Sequence, residues 1–172
     1  MTEDRKEYMK FTFRWGSIIG FVTFMWYVTG FFTGWERMLY FNDLYFIADV
    51  LLIGYMIISY KKEHIEEQLK FSKIMSMGFY SALIVALFYA VYFLLRITKL
   101  DPLFFQVYMN NVTQVMKTGF NADYSQILTP QTMPLFKGAF VFSMYITSFI
   151  SSMIYTLFLA AIISLNRKIY GR

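Results

Sequence analysis

The chain has no cysteine, one histidine and only 3 prolines in 172 residues. Without cysteine there can be no disulfide, no thiolate metal site and no thiol nucleophile. A single histidine cannot build a multi-histidine metal centre, and His64 sits in a run of charged residues where a solvated side chain is expected. Charge is scarce too: Asp, Glu, Lys and Arg make up 16% of the chain, against about 25% in soluble domains. There is no Ser–His–Asp set, no phosphate-cradling loop and no cluster of metal-ligand residues. The expectation is therefore a protein that is not an enzyme, with no cofactor, no metal and no catalytic residues.

What the chain has in abundance is apolar surface. Hydrophobic residues are 58% of the sequence and aromatic residues 22%. Four runs reach the roughly 20 apolar residues that a helix needs to cross the hydrocarbon core: about 11–32, 41–60, 74–95 and 135–165. Backbone amides in lipid must find partners within their own segment, so each run is expected to be a helix. The fold class is thus an all-α integral membrane four-helix bundle occupying residues 1–172 as one domain. The first apolar run is longer than the 7–15 residues of a signal-peptide core, and no small-residue cleavage site follows it, so it is expected to remain as a span.

Basic residues set the direction. Arg5, Lys6, Lys10 and Arg14 precede the first span, and Lys61, Lys62, Lys70 and Lys73 join the second and third. Arg167, Lys168 and Arg172 follow the fourth, so 11 cations fall on one side and five on the other. The positive-inside rule then places both termini in the cytoplasm. Such a distribution also argues against nucleic acid, because the cations are divided among three segments. In the cytoplasmic connection "KKEHIEEQLKFSK", Glu66 precedes Lys70 by four residues, the favourable order for a helical ion pair. Trp15 and Trp35 fall near the two ends of span one, where amphipathic rings prefer the interface.

The segment 96–134 is the one sizeable soluble part, on the outer side. Asp101 is placed to cap a helix, with Pro102 at its first position, Lys117 in its last turn and Gly119 just beyond. Phe104, Tyr108, Val112 and Val115 would form its apolar stripe. A short amphipathic outer helix is expected, lying on the boundary or covering the bundle. "TPQTMP" then turns the chain into span four, with Pro134 tolerated in the first helical turn.

Small residues mark where helices can approach closely in lipid. Gly16 and Gly20 are a pair at four-residue spacing, as are Gly30 and Gly34, and Gly78, Ala82, Ala86 and Ala90 continue that spacing along span three. Span four carries Thr147, Ser151 and Tyr155 beside Ser148, Ser152 and Thr156; bonds to their own helix or to a neighbour are expected ahead of a water path.

The one chemically conspicuous residue is Asp49, in "YFNDLYFIADVLLIGYMIISYKK". It lies eight residues inward from Phe41, about 12 Å at 1.5 Å per residue. An acid at the centre of a span costs roughly 2.5–3.5 kcal/mol, so it needs a partner, a proton or water. Asn42, Tyr45 and Asp49 share one helical face, which should point into the bundle. At similar depth Tyr27, Tyr89, Thr147 and Ser148 are available, and Arg96 or Arg37 could reach down from the outer boundary. Two roles compete. Asp49 either fixes helix register through hydrogen bonds or binds a cation or proton in a pathway; the first is preferred, because no second deep acid, broken helix or inverted repeat accompanies it.

Span three with its approach, "SYKKEHIEEQLKFSKIMSMGFYSALIVALFYAVYFLLR", carries Phe71, Ser72 and Gly78. It is followed by "KTGFNADYSQIL" and a last span ending "LAAIISLNRK". In this arrangement the chain resembles the bacterial four-span family known as domain of unknown function 4199, over nearly its whole length. The resemblance implies a multi-pass protein of the bacterial cytoplasmic (inner) membrane with no assigned activity, and no family site residues. The role expected is a non-catalytic accessory, scaffold or assembly subunit, partnered by the lipid bilayer and by a larger membrane complex or a second copy. The alternative is a small transporter or channel for a cation, proton or lipid-like molecule that uses Asp49.

Overall fold

The structure, a computed structural model, describes residues 3–63, 70–120 and 129–170. His64, the expected Glu66–Lys70 pair and most of "KTGFNADYSQIL" lie outside the described residues. Among the described residues five α-helices follow in order: α1 Glu3–Thr33, α2 Phe41–Glu63, α3 Phe71–Leu95, α4 Pro102–Phe120 and α5 Met133–Tyr170. All but α4 are long and apolar enough to cross a bilayer. The four expected spans lie inside them, with α1 and α5 extending to 31 and 38 residues.

Threonine is tolerated in these helices because its hydroxyl bonds the preceding turn. Thr12 donates to the Tyr8 carbonyl and Thr23 to the Ile19 carbonyl, each at 2.9 Å. α1 ends at Gly34, whose φ of 74° is left-handed and costs an L residue about 1–2 kcal/mol. A 3-10 turn, Trp35–Arg37, then reverses the chain into α2. Nothing lies within 4 Å of a Cβ built on Gly34, so this residue ends a helix and packs against nothing. The expected Gly30–Gly34 packing pair is corrected accordingly: Gly30 alone takes a neighbour, the Phe41 ring.

α3 is the axis of the bundle, packed closely on α1 and on α5, while α2 touches its neighbours more lightly. The small residues explain the close approach. A Cβ on Gly16 would lie 3.1 Å from the Ser81 Cα of α3, and Gly20 lies against the Phe88 ring. Gly78 sits directly on Thr156 of α5, and Ala82, Ala86 and Ala90 are buried along α3. In hydrocarbon no hydrophobic force drives helices together, so such van der Waals contact is the main cohesion.

Aromatic packing ties the two ends. The Tyr8 ring stands edge-on to Tyr60 at 5.9 Å, and its hydroxyl donates to the Lys73 carbonyl at 3.3 Å. The start of α1 therefore meets the end of α2 and the start of α3, and Ile163 of α5 packs on the same cluster. At the opposite end Tyr27, Phe41, Tyr92, Phe93 and Phe140 form a second cluster.

Beyond α3 the helix widens into a π-helical stretch, Arg96–Leu100. Asp101 then caps α4: the Phe104 amide donates to its Oδ1 at 3.1 Å. Pro102 opens α4 as expected. Replacing Asp101 with alanine should cost the first turn of α4 about 1 kcal/mol, read as a roughly fivefold faster hydrogen exchange at Phe104.

Two expectations about α4 are corrected. Gly119 does not end the helix, which runs through it to Phe120. The inward side carries Phe104, Phe105, Met109, Val112 and Met116, so Phe104 and Val112 lie as expected; Phe105 is fully buried, whereas Tyr108 is 38% and Val115 62% exposed. Phe104, Phe105 and Tyr108 surround the Phe140 ring of α5.

Candidate functional site

Asp49 is 1% exposed. Its Oδ2 accepts a hydrogen bond from Ser152 Oγ of α5 at 3.4 Å. Its Oδ1 is buried and has no hydrogen-bond partner among the described residues. Leaving such an oxygen unmatched is costly in a medium without water.

The same side chain borders a cavity of about 230 Å³ between the helices. α2 supplies Asn42, Tyr45, Phe46 and Asp49, while α5 supplies Thr147, Ser148, Ser151, Ser152 and Tyr155. α1 and α3 close it with Tyr27 and Tyr89. Both main contributors are single helical faces, α2 at i, i+3, i+4 and i+7, and α5 at i, i+1, i+4, i+5 and i+8. Buried Asp49 and Ser152 form the floor, whereas exposed Asn42, Phe46 and Thr147 mark a rim between α2 and α5. The gap exists because α2 and α5 are only lightly packed on one another.

The tyrosines are held from behind. Tyr45 Oη and Thr23 Oγ1 are hydrogen-bonded at 2.9 Å, which fixes α2 to α1. The Tyr27 ring stands edge-on to Tyr45 at 5.1 Å and to Tyr89 at 5.0 Å. Tyr155 meets the Phe46 ring edge-on at 4.7 Å. These contacts leave the walls aromatic and the floor acidic.

Seven of the residues singled out from the sequence gather here: Asp49, Tyr45, Asn42, Tyr27, Tyr89, Thr147 and Ser148. Arg96 does not, and this is a correction. Its guanidinium forms a two-pronged pair with Glu36, Nη1–Oε2 at 2.7 Å and Nη2–Oε1 at 2.8 Å. The 3-10 turn after α1 presents that carboxylate beside Arg96, and a planar fork bonds it better than a distant acid. Nη1 also donates to Tyr92 Oη at 3.3 Å, and the guanidinium carbon lies 4.0 Å from the Phe104 ring centroid.

Ser151, Ser152 and Tyr155, expected to bond within the helix or to a neighbour ahead of lining a water path, also border the cavity, as does Phe46, which the sequence did not point to. The spacing of the α5 hydroxyls carried that information, but it reads equally well as a packing stripe. Thr156 does pack: its hydroxyl donates to the Ser152 carbonyl at 2.9 Å. No group of three or more His, Asp or Glu side chains that could hold a metal occurs among the described residues.

Four long apolar helices around a partly enclosed cavity with polar residues in its lining fit a multi-pass membrane protein. Residues 14–168 match the family described as "Protein of unknown function (DUF4199)", and the chain belongs to that family. No curated protein and no solved structure matches it.

Proposed function

We propose that the protein binds a cation or proton at Asp49 as part of a small transport system in the membrane. The observation that carries this reading is the Oδ1 of Asp49, buried without a partner on a side chain that borders the cavity. Among the described residues Ser152 alone bonds this carboxylate, which is little support for an acid whose only task is helix register. One bond to Ser152 at 3.4 Å is weak support for so costly a group. On this ground the transport reading moves ahead of the packing role.

The uneven cation distribution supports a bacterial cytoplasmic membrane setting with both termini inside. The cavity rim, near Asn42 at the start of α2, then lies in the outer half of the bilayer. The test is flux of protons and cations in proteoliposomes. Asp49→Asn keeps the size of the side chain and an oxygen to accept from Ser152, so it should fold. It should lose about tenfold or more of the flux, with an unchanged helical spectrum; equal flux in parent and variant would overturn the reading.

An accessory or assembly role stands second. It draws on a separate apolar groove of about 280 Å³ beside α1, lined by Phe21, Met25, Trp26, Trp35 and Phe41, whose chemistry suits a neighbouring membrane helix. Gly16, Gly20 and Gly78 add nothing to this role, since their contacts are within the chain. Co-purification in mild detergent tests it, and a strictly monomeric protein without a companion would count against it.

A further inference from the structure

We infer that the ligand of the Asp49 cavity is a small organic ammonium ion, held by the carboxylate and a surround of tyrosines. This inference rests on the proposed cation-binding role of Asp49 and narrows it to one chemical class.

Size is the first consideration. About 230 Å³ is room for roughly seven waters at ~30 Å³ each. A proton needs no such space. A bare divalent cation is held by about six or more oxygens at close range, usually with several carboxylates; this cavity brings one acid, and no metal-binding cluster occurs among the described residues. A cavity of about 150 Å³ accepts benzene, so this one suits roughly nine non-hydrogen atoms. Typical drug-sized pockets begin near 300 Å³. The fit is to a compact ion or to the head of a longer amphiphile.

The wall chemistry gives the sign and type of charge. Tyr27, Tyr45, Tyr89 and Tyr155 border the space, and their rings have negative faces that attract a diffuse cation. The attraction is greatest when the cation is desolvated, reaching about 2 kcal/mol or more. Asp49 borders the space and adds the counter-charge. Ser148, Ser151 and Thr147 offer further acceptors toward the rim. Among the described residues no lysine or arginine borders the cavity to compete for the acid or repel the ligand; Arg96, the nearest candidate by sequence, is held by Glu36.

Access follows from the rim between α2 and α5. At this seam the exposed Phe46 ring of α2 meets the Tyr155 ring of α5 edge-on, so its wall is apolar. An ammonium head can therefore enter with an attached alkyl tail remaining in the seam. An ion with a rigid hydration shell has no such route.

The test is titration calorimetry on the full chain in nanodiscs, with choline as the charged probe and 3,3-dimethylbutan-1-ol as its neutral isostere. Choline should bind about tenfold or more tightly than the alcohol, and about tenfold or more weakly to Asp49→Asn than to the parent. Tyr155→Phe keeps the ring and should stay within about threefold, whereas Tyr155→Leu should lose about fivefold or more. Should a variant fail to fold, the comparison of charged and neutral probes on the parent still decides. Equal binding of the two probes, or no binding of choline, overturns the inference. If choline does not bind but sodium or protons bind in an Asp49-dependent manner, the ammonium assignment fails and the Asp49 reading stands. If no ion binds through Asp49, both fail.

Discussion

Gly78→Leu is expected to abolish the folded bundle, and Gly78→Ala to cost it about 1–3 kcal/mol. The reason lies in how α3 meets α5. Even a single Cβ on Gly78 would fall on the Cγ2 and Oγ1 of Thr156. Thr156 cannot easily swing aside, since it is fully buried and its hydroxyl is tied to the Ser152 carbonyl. The added atom must push the two helices apart, and in lipid close contact between helices is what holds them. Melting in detergent, followed by tryptophan fluorescence, should show a lower midpoint for Gly78→Ala. Adding Thr156→Ala to that variant should restore part of the loss. Gly119→Ala, with nothing within 4 Å of its Cβ, should be neutral or slightly stabilising because alanine is the better helix former. The effect should reach the cavity as well: Ser152, which bonds Asp49, precedes Thr156 by one turn of α5.

Removing either partner of the Arg96–Glu36 pair is the second large expected loss. The two side chains are 13% and 16% exposed, so neither charge is well solvated once alone. A fully buried charge stripped of its partner costs about 3–5 kcal/mol; with this residual exposure, about 2–3 kcal/mol is expected for Glu36→Leu or Arg96→Leu. Arg96→Leu should be the worse, because a lone Arg96 keeps the Phe104 and Phe31 ring faces and the Tyr92 hydroxyl, whereas a lone Glu36 keeps only the Tyr92 hydroxyl, at 3.4 Å. The double variant should recover most of the loss, since two apolar side chains of suitable volume replace a buried pair at little cost. A double-mutant cycle on melting free energies measures the coupling; additive losses would show that the two groups act independently.

The two pairs were not equally legible in the sequence. Gly78 stands out because Ala82, Ala86 and Ala90 continue its spacing, and a stripe of small residues on one face has a clear physical meaning. Its partner Thr156 could not be read, since 78 residues separate them and several α5 hydroxyls would serve. The Arg96–Glu36 pair was invisible: the two are 60 positions apart, Glu36 alone looks like an ordinary charge at the end of a span, and Arg96 suggested Asp49 as its partner instead. Helix positions were legible because about 20 apolar residues in a row admit one solution. The face of Asp49 was legible for a similar reason, since an acid among aliphatic side chains must turn inward and takes Asn42 and Tyr45 with it. The face of α4 was legible only in part. Its apolar residues permit more than one stripe, and the choice was made by rings on α3 and α5.

Because α3 lies at the centre, the first two helices reach the bilayer before the element they are built around has been synthesised. During that interval Asp49 has no Ser152, which lies 103 residues further on. The bond between Tyr45 and Thr23 can already form, so the early hairpin has one polar clasp of its own while its acid waits. Insertion of this chain is consequently a problem of timing: a lone carboxyl must be sheltered by water, a proton or the insertion machinery until the last helix arrives.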